Sequence, residues 1–190
     1  MNEKFKISVL VSGGGTNLQA LIDNIENGNL PNAEIVRVIS SRKDAYALER
    51  AKQAGIKTAV AEEGLLEILD TVKTDLVVLA GYMKILQPEV IEKYRGRIIN
   101  IHPSMIPKYC GKGFYGIRVH EAVIEAGEKV TGATVHFVDE GIDTGEIILQ
   151  REVPVEKSDD PKALAKRVLE AEHQILPEAV RIFCERKDKL

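Results

Sequence analysis

The sequence is poor in the features that mark several large protein classes. Its two cysteines, Cys110 and Cys184, lie far apart with no CxxC pair and no spaced Cys/His cluster. That pattern argues against a disulfide framework and fits two free thiols in a reducing cytosol. No HExxH or comparable ligand spacing occurs, so no metal is expected. No apolar run approaches the roughly 20 residues that span a bilayer. The apolar part of MNEKFKISVLVSGGG is too short for a signal segment and runs straight into glycines. Basic charge is not in excess either: 26 Lys and Arg face 29 Asp and Glu, a net charge of −3. A broad footprint on nucleic acid or an anionic membrane is therefore not expected. These absences leave the expectation of a cytoplasmic chain with small-molecule partners.

What is present reads as one α/β domain over residues 1–190. The chain is 44% apolar and 29% charged, near the globular average. Lys6–Val11, Ala33–Ser40, Lys57–Val60, Leu76–Ala80 and Arg97–His102 are short β-branched runs, as buried strands are. Between the first two, Leu18, Leu21, Ile22 and Ile25 recur at helical spacing. Asp44 is the expected N-cap of a helix that Gly55 ends, and a further short helix is expected around Leu65–Val72. This alternation implies a three-layer α/β/α, Rossmann-like, mostly parallel sheet. The second half differs. Pro103–Gly116 is rich in proline and glycine and reads as a mobile loop, of which Gly111–Gly116 is expected to order only with ligand bound. Val119–Ala126 is expected to be helical. Lys129–Phe137 and Glu146–Val153, joined by DEGIDTG, form an antiparallel hairpin portion, and a long C-terminal helix from Pro161 carries Pro177 as an expected kink.

Four places carry polar chemistry. Ser12–Asn17 (SGGGTN) joins a strand to a helix, where backbone N–H groups and the helix N-terminus form an anion site. It lacks the third glycine of a dinucleotide fingerprint and the lysine of a Walker loop, so a phosphate monoester fits better. Asn100 and His102 share one strand face at a carboxyl end, where an amide donor and an imidazole can serve an acyl centre. Pro103 then removes a backbone N–H and ends the ladder. Asp139, Glu140 and Asp143 lie in the DEGIDTG turn; spacing does not say which of them faces His102. Glu172 interrupts the apolar stripe of Leu164, Val168, Ile175, Leu176 and Ala179. A carboxylate there needs a partner, either a ligand group or an internal salt bridge. His136 reads as an interior group, whereas His120 and His173 read as helix-surface residues.

Taken together, VLVSGGGTNLQALI, VVLAGYMKIL, RIINIHPSMIPKYCG, VTGATVHFVDEGIDTGEIILQ and EAEHQILPEAV resemble the folate-dependent phosphoribosylglycinamide formyltransferases over nearly the whole chain. The resemblance implies Asn100, His102 and Asp143 as the catalytic trio. Gly15, Thr16 and Asn17 would hold a ribose phosphate and Glu172 the glycinamide end. Met83, Lys84, Ile85 and Leu86, with Asn100, Val138, Asp139 and Asp143, would cradle the pterin of 10-formyltetrahydrofolate. A phosphate half at about 1–100 and a folate half at about 101–190 would then meet at the site. The implied partners are glycinamide ribonucleotide and folate, with monomer or homodimer left open. Two departures concern the folate end: the Val60–Leu76 segment is shorter than in most relatives and lacks a Ser-Arg stretch, and Lys84 replaces a common arginine. The rival readings are a formyltetrahydrofolate deformylase, whose motif has a second histidine where Pro103 sits, and a non-catalytic nucleotide-binding module. A methionyl-tRNA formyltransferase would need a further RNA-binding domain.

Overall fold

The central strands are apolar on both faces because both faces are covered. In the computed structural model, which describes residues 3–61 and 64–187, β1 (Phe5–Val11) and β4 (Leu76–Leu79) are buried almost throughout. Side-chain alternation divides them between two layers. Val9, Val11, Val78 and Ile99 pack with Leu18, Leu21, Leu164, Val168 and Leu176. Leu10, Val77, Leu79 and Ile98 pack with Leu65, Leu69, Val90 and Ile91 on the opposite face. Continuous burial of this kind is the mark of a parallel sheet between helices.

The remaining elements follow in chain order. They are α1 (Thr16–Glu26), β2 (Ala33–Ser40), α2 (Tyr46–Gln53), β3 (Thr58–Val60), α3 (Leu65–Thr71), α4 (Pro88–Lys93), β5 (Ile98–His102), α5 (Ile117–Glu125), β6 (Val130–Phe137), β7 (Ile147–Pro154) and α6 (Pro161–Lys187). The seven strands form one sheet in the order β3-β2-β1-β4-β5-β6-β7. Pairing is parallel from β3 to β5, then antiparallel at β5–β6 and β6–β7. The change of direction sets Asn100 directly opposite His136 and His102 opposite Thr134. Among the described residues no helix is long and apolar enough to cross a membrane.

Four local expectations change. Asp44 does not cap α2: its carboxylate takes a two-pronged bond from Arg42 at 2.9 and 2.6 Å, and Ala45 is the N-cap residue. The first turn of α2 is tied elsewhere, by the Ala47 N–H donating to the Gly13 carbonyl at 3.0 Å. α4 has no counterpart in the periodicity reading; Pro88 at its first turn is the signal that marks it. α5 starts two residues earlier than expected and turns His120 inward, where it is buried, not on the surface. β3 begins at Thr58, one residue later than expected, while α6 runs from Pro161 as expected, one helix of 27 residues with Pro177 inside it. Within the segment expected to be short, Glu62 and Glu63 lie outside the described residues.

Candidate active site

The carboxyl ends of β1, β4 and β5 open on one side of the sheet, where ligand crevices form in α/β folds. A cleft of about 860 Å³ lies there and takes in Asn17, Asn100, His102, His136, Asp143 and Glu172.

At one end, the glycine loop after β1 turns into α1. Gly15 has φ of 74°, and a Cβ built on it would stand 2.6 Å from the Ala47 Cβ. The loop is therefore shaped by the approach of α2 as well as by its own turn. Arg50 donates from Nε to the Gly14 carbonyl at 2.8 Å and adds positive charge beside the loop. The N–H groups at the start of α1 and the helix dipole favour an anion at this point. Next to it, buried Asn17 donates from Nδ2 to Glu172 Oε2 at 2.5 Å, while its Oδ1 is buried without a partner. The partner that Glu172 finds is thus an amide, neither a salt bridge nor a cation. Glu172 is only 8% exposed. Burial pushes its pKa up to about 7, against the opposing pull of the Asn17 amide.

At the centre, two histidines flank one carboxylate. His102 Nδ1 lies 3.6 Å from Asp143 Oδ2, and His136 Nε2 lies 3.6 Å from Asp143 Oδ1. These are distances of charge interaction, longer than hydrogen bonds. His102 Nε2 is 2.9 Å from the Tyr109 carbonyl. A carbonyl accepts only, so Nε2 carries a proton and Nδ1 is the nitrogen turned to Asp143. The same logic puts the His136 proton on Nδ1, 2.7 Å from the Phe137 carbonyl. Its Nε2 then accepts from the Asn100 amide at 3.1 Å. Burial lowers the His102 pKa, opposed by the Tyr109 carbonyl and by Asp143. Burial alone would raise the Asp143 pKa; the facing His136 and His102, and the Gly111 N–H at 2.9 Å, outweigh it and hold the carboxyl below its usual range.

Two residues at this centre have left-handed backbones without being glycine: Tyr109 at φ 53° and Asp143 at φ 58°. Asp enters that region at small cost and Tyr at more. Both conformations aim a group at His102, the Tyr109 carbonyl from one side and the Asp143 carboxylate from the other. The other turn acids are occupied elsewhere. Asp139 accepts from Gly141 N–H and Thr144 Oγ1, and Glu140 pairs with Arg95.

The far wall is apolar. Met83, Ile85, Leu86 and Val138 line it with Lys84 and Asp139. Met83 is 57% and Ile85 80% exposed. Of the eight exposed large hydrophobics among the described residues, five line this cleft: Met83, Ile85, Tyr115, Ile117 and Ile142. Apolar surface held open in this way marks a binding groove for a flat, largely apolar molecule. The Met83 N–H donates to Ser12 Oγ at 2.8 Å, which ties this wall to the glycine loop. The trio that the resemblance implies is thus brought together in the cleft with Asn17 and Glu172, whereas Gly15 and Thr16 are not among the residues that line it. The reading of His136 as an interior group holds, since it is buried and hydrogen-bonded to Asn100, whereas His120 is not the surface residue it reads as.

Comparison with known proteins accords with this geometry. Residues 5–180 match the model of the formyl transferase family. The chain is 43% identical to phosphoribosylglycinamide formyltransferase of Haemophilus influenzae, covering 97% of this chain and 90% of that protein. Among solved structures, glycinamide ribonucleotide transformylase 1 of Symbiobacterium toebii superposes with a TM-score of 0.88 at 40% identity, covering 97% of this chain and 90% of that one. A formyltetrahydrofolate deformylase of Pseudomonas syringae shares the fold, with a TM-score of 0.87, but at 25% identity, covering 96% of this chain and 62% of its own. On identity and on mutual coverage, the chain belongs to the formyl transferase family, among its phosphoribosylglycinamide formyltransferases.

Proposed function

We propose that the protein transfers the formyl group of 10-formyltetrahydrofolate to the primary amine of glycinamide ribonucleotide. The products are formylglycinamide ribonucleotide and tetrahydrofolate, in de novo purine biosynthesis. The observation that carries this reading is the convergence of Asn100, His102 and Asp143 between an anion-binding loop and an exposed apolar wall. The loop with Asn17 suits the ribonucleotide phosphate, Glu172 suits its glycinamide end, and the apolar wall suits the pterin.

The chain's own groups divide the work. Asn100 has one amide N–H committed to His136, and that bond fixes the other N–H as a donor to the formyl oxygen. As the amine attacks the formyl carbon, charge collects on that oxygen, and a fixed donor there is worth about 3–4 kcal/mol. His102 turns Nδ1 to the site, because Tyr109 holds Nε2. It takes the proton released during attack, and Asp143 stabilises the resulting imidazolium. One proton leaves the amine and one reaches the departing folate nitrogen, so His102 ends the cycle as it began. Neither Cys110 nor Cys184 is in a disulfide, which suits work in a reducing cytoplasm.

The test follows folate release from 10-formyltetrahydrofolate with and without glycinamide ribonucleotide. Release that requires the ribonucleotide supports the transferase. Release without it identifies a deformylase, and none in either case overturns both enzymatic readings. His102→Ala should abolish transfer while ribonucleotide binding persists.

A further inference from the structure

α5 carries into the cleft a histidine to which the transfer chemistry assigns no part. His120 is 4% exposed and sits on the inner face of α5 with Val119 and Val123. It lines the cleft, as do Leu169 and Glu172 of α6. Its Nδ1 is buried and has no hydrogen-bond partner. Native proteins pair nearly all such atoms, so an unpaired one on a residue of the cleft wall calls for a partner.

The state of the ring narrows what that partner is. Burial, with the neighbouring His102 adding to it, pushes the His120 pKa down to about 4. At neutral pH the imidazole is uncharged, with one N–H and one acceptor nitrogen. A neutral ring in an apolar setting is a poor partner for the phosphate, which has the glycine loop, Arg50 and the α1 N-terminus. It is well matched to an uncharged polar group. In the acceptor, the uncharged polar group between the ribose and the amine is a carboxamide, with one carbonyl and one N–H. His120 lines the same cleft as Glu172 and interacts electrostatically with His102, at the reacting end.

We propose that His120 is a substrate-binding residue whose Nδ1 hydrogen-bonds the carboxamide of glycinamide ribonucleotide and so sets where the amine stands relative to His102. This rests on the ribonucleotide being the acceptor.

The test compares His120→Leu and His120→Asn with the wild type, the asparagine amide nitrogen standing close to where Nδ1 stood. His120→Leu should raise the KM for glycinamide ribonucleotide by roughly tenfold or more, as the loss of one buried hydrogen bond implies. The KM for 10-formyltetrahydrofolate should stay within about twofold, and His120→Asn should recover most of the loss. In ¹⁵N spectra of the wild type, the His120 Nδ1 resonance should move on adding glycinamide ribonucleotide and stay in place with ribose 5-phosphate, which has no carboxamide. An unchanged ribonucleotide KM in a folded His120→Leu protein overturns the assignment. So does an equal response to ribose 5-phosphate, which would report a packing role; the spectra decide even where the leucine variant fails to fold. Absence of transfer by the wild type overturns this proposal and the proposed function together. Normal wild-type transfer with an unmoved KM overturns this one alone.

Discussion

The amide nitrogen of Asn100 lies 3.1 Å from Nε2 of His136, the residue directly opposite it across the β5–β6 ladder. Because the Phe137 carbonyl holds the His136 proton on Nδ1, the imidazole is a fixed acceptor and the amide cannot turn over without losing a buried bond. His136 is therefore a positioning residue. Asn100→Ala should lower kcat by about 10²–10³, the range for an oxyanion donor. His136→Leu should lower kcat by roughly tenfold while leaving the ribonucleotide KM unchanged, because it frees the donor without removing it. A His136→Leu enzyme that loses ribonucleotide affinity at constant kcat would refute the positioning role.

The glycine loop offers a contrast between neighbours. Gly15 combines φ of 74° with a forbidden approach to Ala47, whereas a Cβ on Gly14 meets nothing within 4 Å. Gly15→Ala should destabilise the protein by more than about 1–2 kcal/mol, the cost of a left-handed alanine before any clash. It should also weaken ribonucleotide phosphate binding. Gly14→Ala should leave both nearly unchanged. Thermal melts and phosphate-ligand titrations of the two variants check this, and equal behaviour would count against it.

Glu172 titrates near the working pH. With its pKa at about 7, it ionises as pH rises through that value, and an ionised carboxylate is the stronger acceptor for the N–H groups of the glycinamide end. The Kd for glycinamide ribonucleotide should therefore fall between pH 6 and 8 in the wild type. Glu172→Gln should bind more weakly at pH 8 and show only the dependence that the ligand's own phosphate brings. Parallel calorimetric titrations of both proteins separate the two contributions.

Acid stability depends on the buried histidines. Burial lowers the pKa of His102, His120 and His173 in the fold from an ordinary value of 6.5. Below that pH the unfolded chain binds more protons than the native one, so stability falls as pH falls. For His120 the loss runs from 6.5 down to about 4. Glu172 acts in the opposite sense: its contribution is present below 4.5 and is lost as pH rises through about 7. His120→Leu removes one acid-labile group and leaves Glu172 in place. Its Tm should drop less between pH 7 and 5 than that of the wild type; an equal drop would mean that the imidazole charges freely inside the fold.

Much of the fold is legible because burial leaves a local pattern. β2 occupies Ala33–Ser40, the same span as its β-branched run, and the sheet follows from such runs alternating with helical ones. α4 escapes because six residues hold fewer than two turns of periodicity. Asp44 misleads because its side chain has Arg42 two residues away as a stronger partner than the backbone of α2. His120 misleads differently: the inner face of α5 admits positions 119, 120 and 123, but a polar side chain reads as exposed unless the cleft behind it is known. Within the site, Asn100 and His102 are visible as a pair because they share a strand. Asp143 is separated from Asp139 and Glu140 only by a left-handed turn, which no spacing rule encodes.

The hydrogen bond from Asn17 to Glu172 joins positions 155 residues apart. A ribosome delivers the glycine loop early and Glu172 nearly last, and domains emerge from the N-terminus onward. A half-made chain thus carries the loop without the carboxylate that completes it, and Asn100 without the histidine that aims it. The ribonucleotide end of the site is closed last, when α6 brings Glu172 back to the loop made at the start.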